Sequence, residues 1–203
     1  MKNKLYKKNN GFTLIEMVLS VSIFIIILLG ATFLSKNIWT YNSIISTNFS
    51  NVTAGKNAIK KMEAEIRTAS AANNGSYAVN QANATSFTFF SDLNGDGLKE
   101  KVRYFLNGTS LQRGIVIPSG SPLGYTNSET ITTLLTNITN TTTIFNYYDT
   151  SYDGTTASLT IPVDVSVIRL VKITLTVDNN TNLPPPAVTF TTQVSLRNLK
   201  DNL

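Results

Sequence analysis

The stretch Gly11-Phe12-Thr13-Leu14-Ile15-Glu16 decides how this chain is built, because the apolar run that begins at Phe12 continues to Leu34 with Glu16 as its single charge. As a helix, about twenty such residues cross the ~30 Å of hydrocarbon in a bilayer. Lys2, Lys4, Lys7 and Lys8 precede this run, whereas only Lys36 follows it closely. Excess positive charge stays on the cytoplasmic side, so everything after Lys36 is expected outside. An ordinary secretory signal has a shorter apolar core, with its small-residue cleavage site beyond that core. Here the small residue, Gly11, stands before it.

The lysine leader, the glycine, the Phe-Thr-Leu-Ile-Glu string and the apolar run together resemble the processing site of type IV prepilins and pseudopilins. The resemblance implies that a prepilin peptidase cuts between Gly11 and Phe12, that Phe12 is N-methylated, and that the matured subunit joins a filament through its hydrophobic helix. It implies as partners the peptidase, other pilin or pseudopilin subunits, an inner-membrane assembly platform and the membrane. Localisation would then be single-pass in the cytoplasmic membrane, followed by an extracellular or periplasmic filament.

Glu16 needs a partner, because a carboxylate at the centre of a membrane helix costs about 2.5–3.5 kcal/mol on insertion scales. Cleavage supplies one in the new amine of Phe12, which on a neighbouring subunit could pair with Glu16 in a protein-lined setting. The plainer alternative is a glutamate near the headgroups that stays wet. Trp39 and Tyr41 fall just past the run, at the membrane interface or against the head.

Charge and composition exclude several functions. The leader holds four of the seventeen basic residues, which leaves thirteen against twelve acidic ones in the processed chain. A basic nucleic-acid-binding surface has no support once the leader is gone, and no direct nucleic-acid binding is expected. The chain has no cysteine and no histidine. Disulfide frameworks, Ser-His-Asp and Cys-His catalysis and the usual zinc sites are therefore absent, and the chain reads as a non-enzyme.

Ile38, Ile45, Val52, Ile59 and Ile66 recur every seven residues, with Tyr41, Met62 and Ala69 on the adjoining stripe. This predicts an amphipathic continuation of the helix, its half beyond Thr53 packed on the chain's own sheet, its half before Thr53 free to meet other subunits, and a stop at Asn73-Asn74-Gly75. The expected organisation is a cleaved leader at 1–11, a membrane and filament-core helix at 12–35, an amphipathic continuation at 36–74 and a β-rich head at 75–203. The fold class is α+β and pilin-like. Short apolar alternations predict strands at Ser86–Ser91, Lys101–Leu106, Ser110–Ile117, Thr143–Asp149, Val167–Val177 and Val188–Leu196. Asn107-Gly108 signals a hairpin, and Pro184-Pro185-Pro186 an extended connection. The Thr-rich segment from Thr126 to Thr143 leaves the middle of the sheet open.

Short strings in the head are similar to large minor subunits of the superfamily, such as the J-class pseudopilins and W-class minor pilins: Ile59–Arg67, Val102–Leu106 running into Leu111-Gln112-Arg113, and Val194–Asn198. Two further segments carry chemistry. Asp92, Asn94 and Asp96, with Glu100, copy the start of a calcium loop, although Arg103 stands where an EF-hand has its bidentate glutamate. The same residues also suit an Asn/Asp/Gly hairpin turn. Asn146–Asp149 and Tyr152-Asp153-Gly154 offer aromatics for a partner, but such a pattern is more often sheet residues followed by a turn. The competing functional class is a bitopic surface-binding module that works alone.

Overall fold

The computed structural model describes residues 11–179, 184 and 186–199. The leader lysines and Pro185 lie outside the described residues. Among the described residues, one α-helix, α1 (Leu14–Arg67), is followed by eight strands in two antiparallel sheets, the α+β pilin-like architecture expected. The chain divides into two compact units, Met1–Ser46 and Thr47–Leu203. The last turns of α1 thus belong to the head.

The first sheet is a meander in the order β1 (Val79–Ala82), β2 (Ser86–Ser91), β3 (Glu100–Asn107), β4 (Ser110–Val116), β5 (Thr130–Leu135). The second is β6 (Phe145–Tyr148), β7 (Leu170–Val177), β8 (Val188–Ser195). All six predicted strands form. The Asn107-Gly108 signal marks the β3–β4 hairpin, in which Asn107 pairs with Ser110 and Gly108 sits at φ +61°. Glycine takes this left-handed conformation without steric cost.

Two strands were not expected. β1 is only four residues long, and β5 lies in the Thr-rich segment where no apolar alternation marks it. β5 forms because β4 offers it a ladder, from Leu111↔Leu135 to Ile115↔Thr130. Val167 lies in a short 3-10 turn (Val165–Val167), so β7 begins later than predicted, at Leu170.

The helix also ends earlier than expected, at Arg67 rather than at Asn73-Asn74-Gly75. Tertiary hydrogen bonds capture the chain there: the Ser70 amide donates to the Phe90 carbonyl at 2.9 Å, and Asn198 Nδ2 donates to the Ala69 carbonyl at 3.0 Å. Thr68 Oγ1 meets Ser91 Oγ at 2.8 Å. Gly75, at φ +85°, serves a separate turn in which its amide donates to the Ala72 carbonyl.

The head core joins both sheets and the end of the helix. Ala58, Met62, Ile66 and Ala69 are buried along one stripe of α1 and its exit, as the stretch beyond Thr53 predicted. Ile59 is only half-buried, because a strict seven-residue repeat drifts around an α-helix by about 20° per repeat. Phe87 stands at the junction, its ring 5.4 Å from Phe89, 5.9 Å from Phe145 and 5.6 Å from Tyr147. Gly55 is buried, and a Cβ on it would collide with the Phe190 ring of β8. The helix takes a glycine where the sheet comes too close for any side chain.

Candidate processing and assembly site

Gly11, Phe12 and Thr13 precede the helix and are exposed. The Gly11–Phe12 bond is therefore outside the helical ladder. A Cβ on Gly11 would meet nothing within 4 Å. Among the described residues, nothing in the fold demands glycine there.

Glu16 sits in the first turn, where a carboxylate complements the helix dipole. Its Oε2 accepts from the Thr13 amide at 2.8 Å and from Thr13 Oγ1 at 2.9 Å, while the Glu16 amide donates to Thr13 Oγ1 at 3.4 Å. This is a reciprocal capping box of the Thr-x-x-Glu form. The sequence reading missed it, although Thr13 and Glu16 stand at the required spacing. A cut before Phe12 would leave the Thr13 amide, and with it the cap, in place.

The hydroxyls within the apolar run are also satisfied locally. Ser20 donates to the Glu16 carbonyl at 2.7 Å, Ser22 to Val18 at 2.8 Å, Thr32 to Leu29 at 2.8 Å and Ser35 to Ala31 at 2.9 Å. Polar groups bonded to their own helix can enter hydrocarbon without leaving a donor stranded. Among the described residues, one helix is long and apolar enough to cross a membrane, with none of its most apolar window buried.

The Asp92–Glu100 loop uses its oxygens on itself. Asp92 Oδ1 accepts from the Gly95 amide at 2.7 Å, and Oδ2 accepts from the Gly97 amide at 3.0 Å and from Lys99 Nζ at 3.4 Å. Desolvation pushes the Asp92 carboxyl upward, but these donors outweigh it and hold the group below its ordinary range. Asn94 Nδ2 donates to Asp96 Oδ2 at 2.9 Å, and Asp96 Oδ1 accepts from the Leu98 amide at 2.7 Å. Glu100 is buried and accepts from the Leu93 amide at 2.9 Å. Among the described residues, no three His, Cys, Asp or Glu side chains converge as a metal site. Gly95 and Gly97 have φ +78° and +87°, the backbone demand of a tight turn.

Of the aromatics near β6, Tyr147 is fully buried and donates to the Asn83 carbonyl at 2.7 Å. Tyr148 is buried against Tyr152, ring centroids 4.1 Å apart. They are sheet residues followed by turns. Asp153 closes its turn by accepting from the Thr156 and Thr155 hydroxyls and amides, which hold its carboxyl far below the usual range.

One polar cluster escaped the sequence reading. Arg113 of β4 grips Glu65 of α1 in a bidentate pair, Nε to Oε2 at 2.9 Å and Nη2 to Oε1 at 2.7 Å, and Tyr104 Oη donates to Glu65 Oε2 at 2.6 Å. The two charged side chains are only 10% and 13% exposed. Burial, with the Glu65 charge next, pushes the Tyr104 hydroxyl upward. Three residues from three separate elements carry no shared sequence signature.

Residues 6–32 match the family model for the prokaryotic N-terminal methylation motif, the signature of type IV prepilins. Comparison with curated proteins returns no match.

Proposed function

We propose that this chain, as a bearer of the prokaryotic N-terminal methylation motif, is a minor pilin or pseudopilin: a structural subunit of a type IV pilus-like or type II secretion-like filament. The observation that carries the reading is the motif at residues 6–32 running without interruption into a helix that extends to Arg67. Prepilin peptidase cuts after Gly11 and Phe12 is methylated. The helix then leaves the bilayer for the filament core, where Glu16 pairs with the Phe12 amine of a neighbouring subunit. The exposed side chains of Ile38, Ile45 and Phe49 offer an apolar stripe to neighbours. The head, outside the membrane, acts by contact.

The test is mass spectrometry of membrane fractions from a host with an active prepilin peptidase. A mature N-terminus at methyl-Phe12 is expected, and Gly11→Leu should keep the leader. An intact Met1 in the unaltered protein would overturn the reading and favour a stand-alone bitopic binding module. Glu16→Ala should insert and be cleaved yet be depleted from sheared filaments.

A further inference from the structure

Asparagine followed by glycine is open to a reaction that needs no enzyme. The glycine nitrogen attacks the asparagine Cγ and the side-chain nitrogen leaves as ammonia. Water then opens the resulting cyclic imide, giving aspartate or its isomer linked through the side-chain carboxyl. Glycine favours the attack because it has no Cβ to obstruct the approach. The chain holds four such pairs, at Asn10-Gly11, Asn74-Gly75, Asn94-Gly95 and Asn107-Gly108. Asn10 lies outside the described residues.

In the other three pairs asparagine and glycine are all exposed, so access to water does not separate them. Their hydrogen bonds do. Asn74 Oδ1 accepts from the Ser76 amide at 3.1 Å, and the Gly75 amide donates to the Ala72 carbonyl at 3.0 Å. Asn94 is held by both atoms of its amide, Oδ1 accepting from the Asp96 amide at 3.1 Å and Nδ2 donating to Asp96 Oδ2 at 2.9 Å. The Gly95 amide donates to Asp92 Oδ1 at 2.7 Å. In both turns the attacked group and the attacking nitrogen are each tied to a third party. Those bonds must break before the reaction begins.

Asn107-Gly108 lacks both restraints. The Asn107 side chain has one bond, Nδ2 to Gln112 Oε1 at 3.4 Å, which is long for a hydrogen bond. Among the described residues, its Oδ1 accepts from no group and the Gly108 amide donates to none. What restrains the pair is the ladder, in which Asn107 faces Ser110. This is the last rung before the turn, so it can open while Leu106↔Leu111 behind it stays closed. The Ile138 amide holds the Thr109 carbonyl at 2.9 Å, on the far side of the turn, and does not engage the Asn107–Gly108 link. Opening the rung lets the Asn107 backbone rotate and brings Cγ to the Gly108 nitrogen.

We propose that Asn107 is a deamidation site of the folded head, converting with time to aspartate and isoaspartate while Asn74 and Asn94 persist. Isoaspartate carries an extra carbon in its main chain, so it breaks the Asn107↔Ser110 register. Either product places a carboxylate at an exposed hairpin end.

The experiment is peptide mapping by mass spectrometry on the full chain, folded in detergent and again in denaturant, at mildly alkaline pH, with fragmentation that tells aspartate from isoaspartate. In denaturant the three pairs should react at comparable rates. In the folded chain Asn107 should outpace Asn74 and Asn94 by at least about tenfold, a barrier difference of about 1.4 kcal/mol. Asp92→Ala, which releases the Gly95 amide, should speed conversion of Asn94 and leave that of Asn107 unchanged. If folded Asn74 or Asn94 converts as fast as Asn107, or if folding protects all three alike, the assignment is overturned. An unchanged Asn94 rate in Asp92→Ala would remove its physical basis.

Discussion

Two stretches of the same helix solve opposite problems. From Leu14 to Tyr41 the large apolar side chains are exposed on every side, Ile26 at 69% and Phe24 at 60%, and Ser20, Ser22, Thr32 and Ser35 donate back to carbonyls of their own helix. From Gly55 to Ile66 one narrow stripe is buried and the rest of the surface is polar or charged. The two glycines make the contrast sharp: a Cβ at Gly30 would meet nothing, whereas one at Gly55 would strike Phe190. An all-round apolar helix is made for lipid or for other helices, and a one-sided helix for its own sheet. The helix is continuous, but its solvent changes.

The comparison breaks most visibly at the Glu65–Arg113 clamp. Arg113→Met strands a buried carboxylate and should cost the head about 3–5 kcal/mol, while Glu65→Leu combined with Arg113→Met should recover most of it. The near-ultraviolet dichroism of buried Tyr104 and Tyr147 reports head melting in the full chain. If Arg113→Met melts like the unaltered protein, the clamp has no structural weight.

Met62→Ala should destabilise the head by about 2–3 kcal/mol by leaving a cavity. Ile26→Ala, a comparable deletion in the same helix, should leave head melting unchanged. Equal losses from the two would mean that the head's core extends into the apolar run.

Gly55→Leu should cost about 1–3 kcal/mol through overpacking against Phe190. Phe190→Ala should relieve part of that loss when combined with it, and Gly30→Leu should have no effect on the head. Additivity of the Gly55 and Phe190 changes would show that the close approach does not govern the site.

The smallest effects belong to the Asp92 turn. Asp92 has a folded-state affinity for protons lower than in the unfolded chain, so its contribution is present above the ordinary aspartate value of about 3.9 and is lost as pH falls below it. Asp92→Asn should flatten the acid side of the head's melting profile slightly. Calcium distinguishes the two uses of the loop. The turn predicts melting curves that coincide with calcium and with chelator, and Gly97→Val lowering both, since φ +87° opposes a branched side chain. A calcium-dependent rise abolished by Asp96→Ala would support the calcium-loop reading.

Much of this was legible in one dimension because the responsible forces are local or one-dimensional. The Gly11–Glu16 string and the apolar run from Phe12 to Leu34 specify, by length and hydropathy alone, a helix able to cross a membrane, and the 6–32 motif match fits it. Six strands followed from alternation, and Gly108 from its turn chemistry. The capping box at Thr13 and Glu16 was equally readable and was passed over. What only the tertiary structure decided concerns groups that meet across the fold. The helix stops at Arg67 because Phe90 and Asn198 take its backbone, not because a stop residue stands there. β5 is a strand because β4 is its neighbour, and Glu65, Tyr104 and Arg113 form one clamp although up to 48 positions separate them. Periodicity records which way a residue faces, but the partner waiting on that face is set only when the distant segments are packed together.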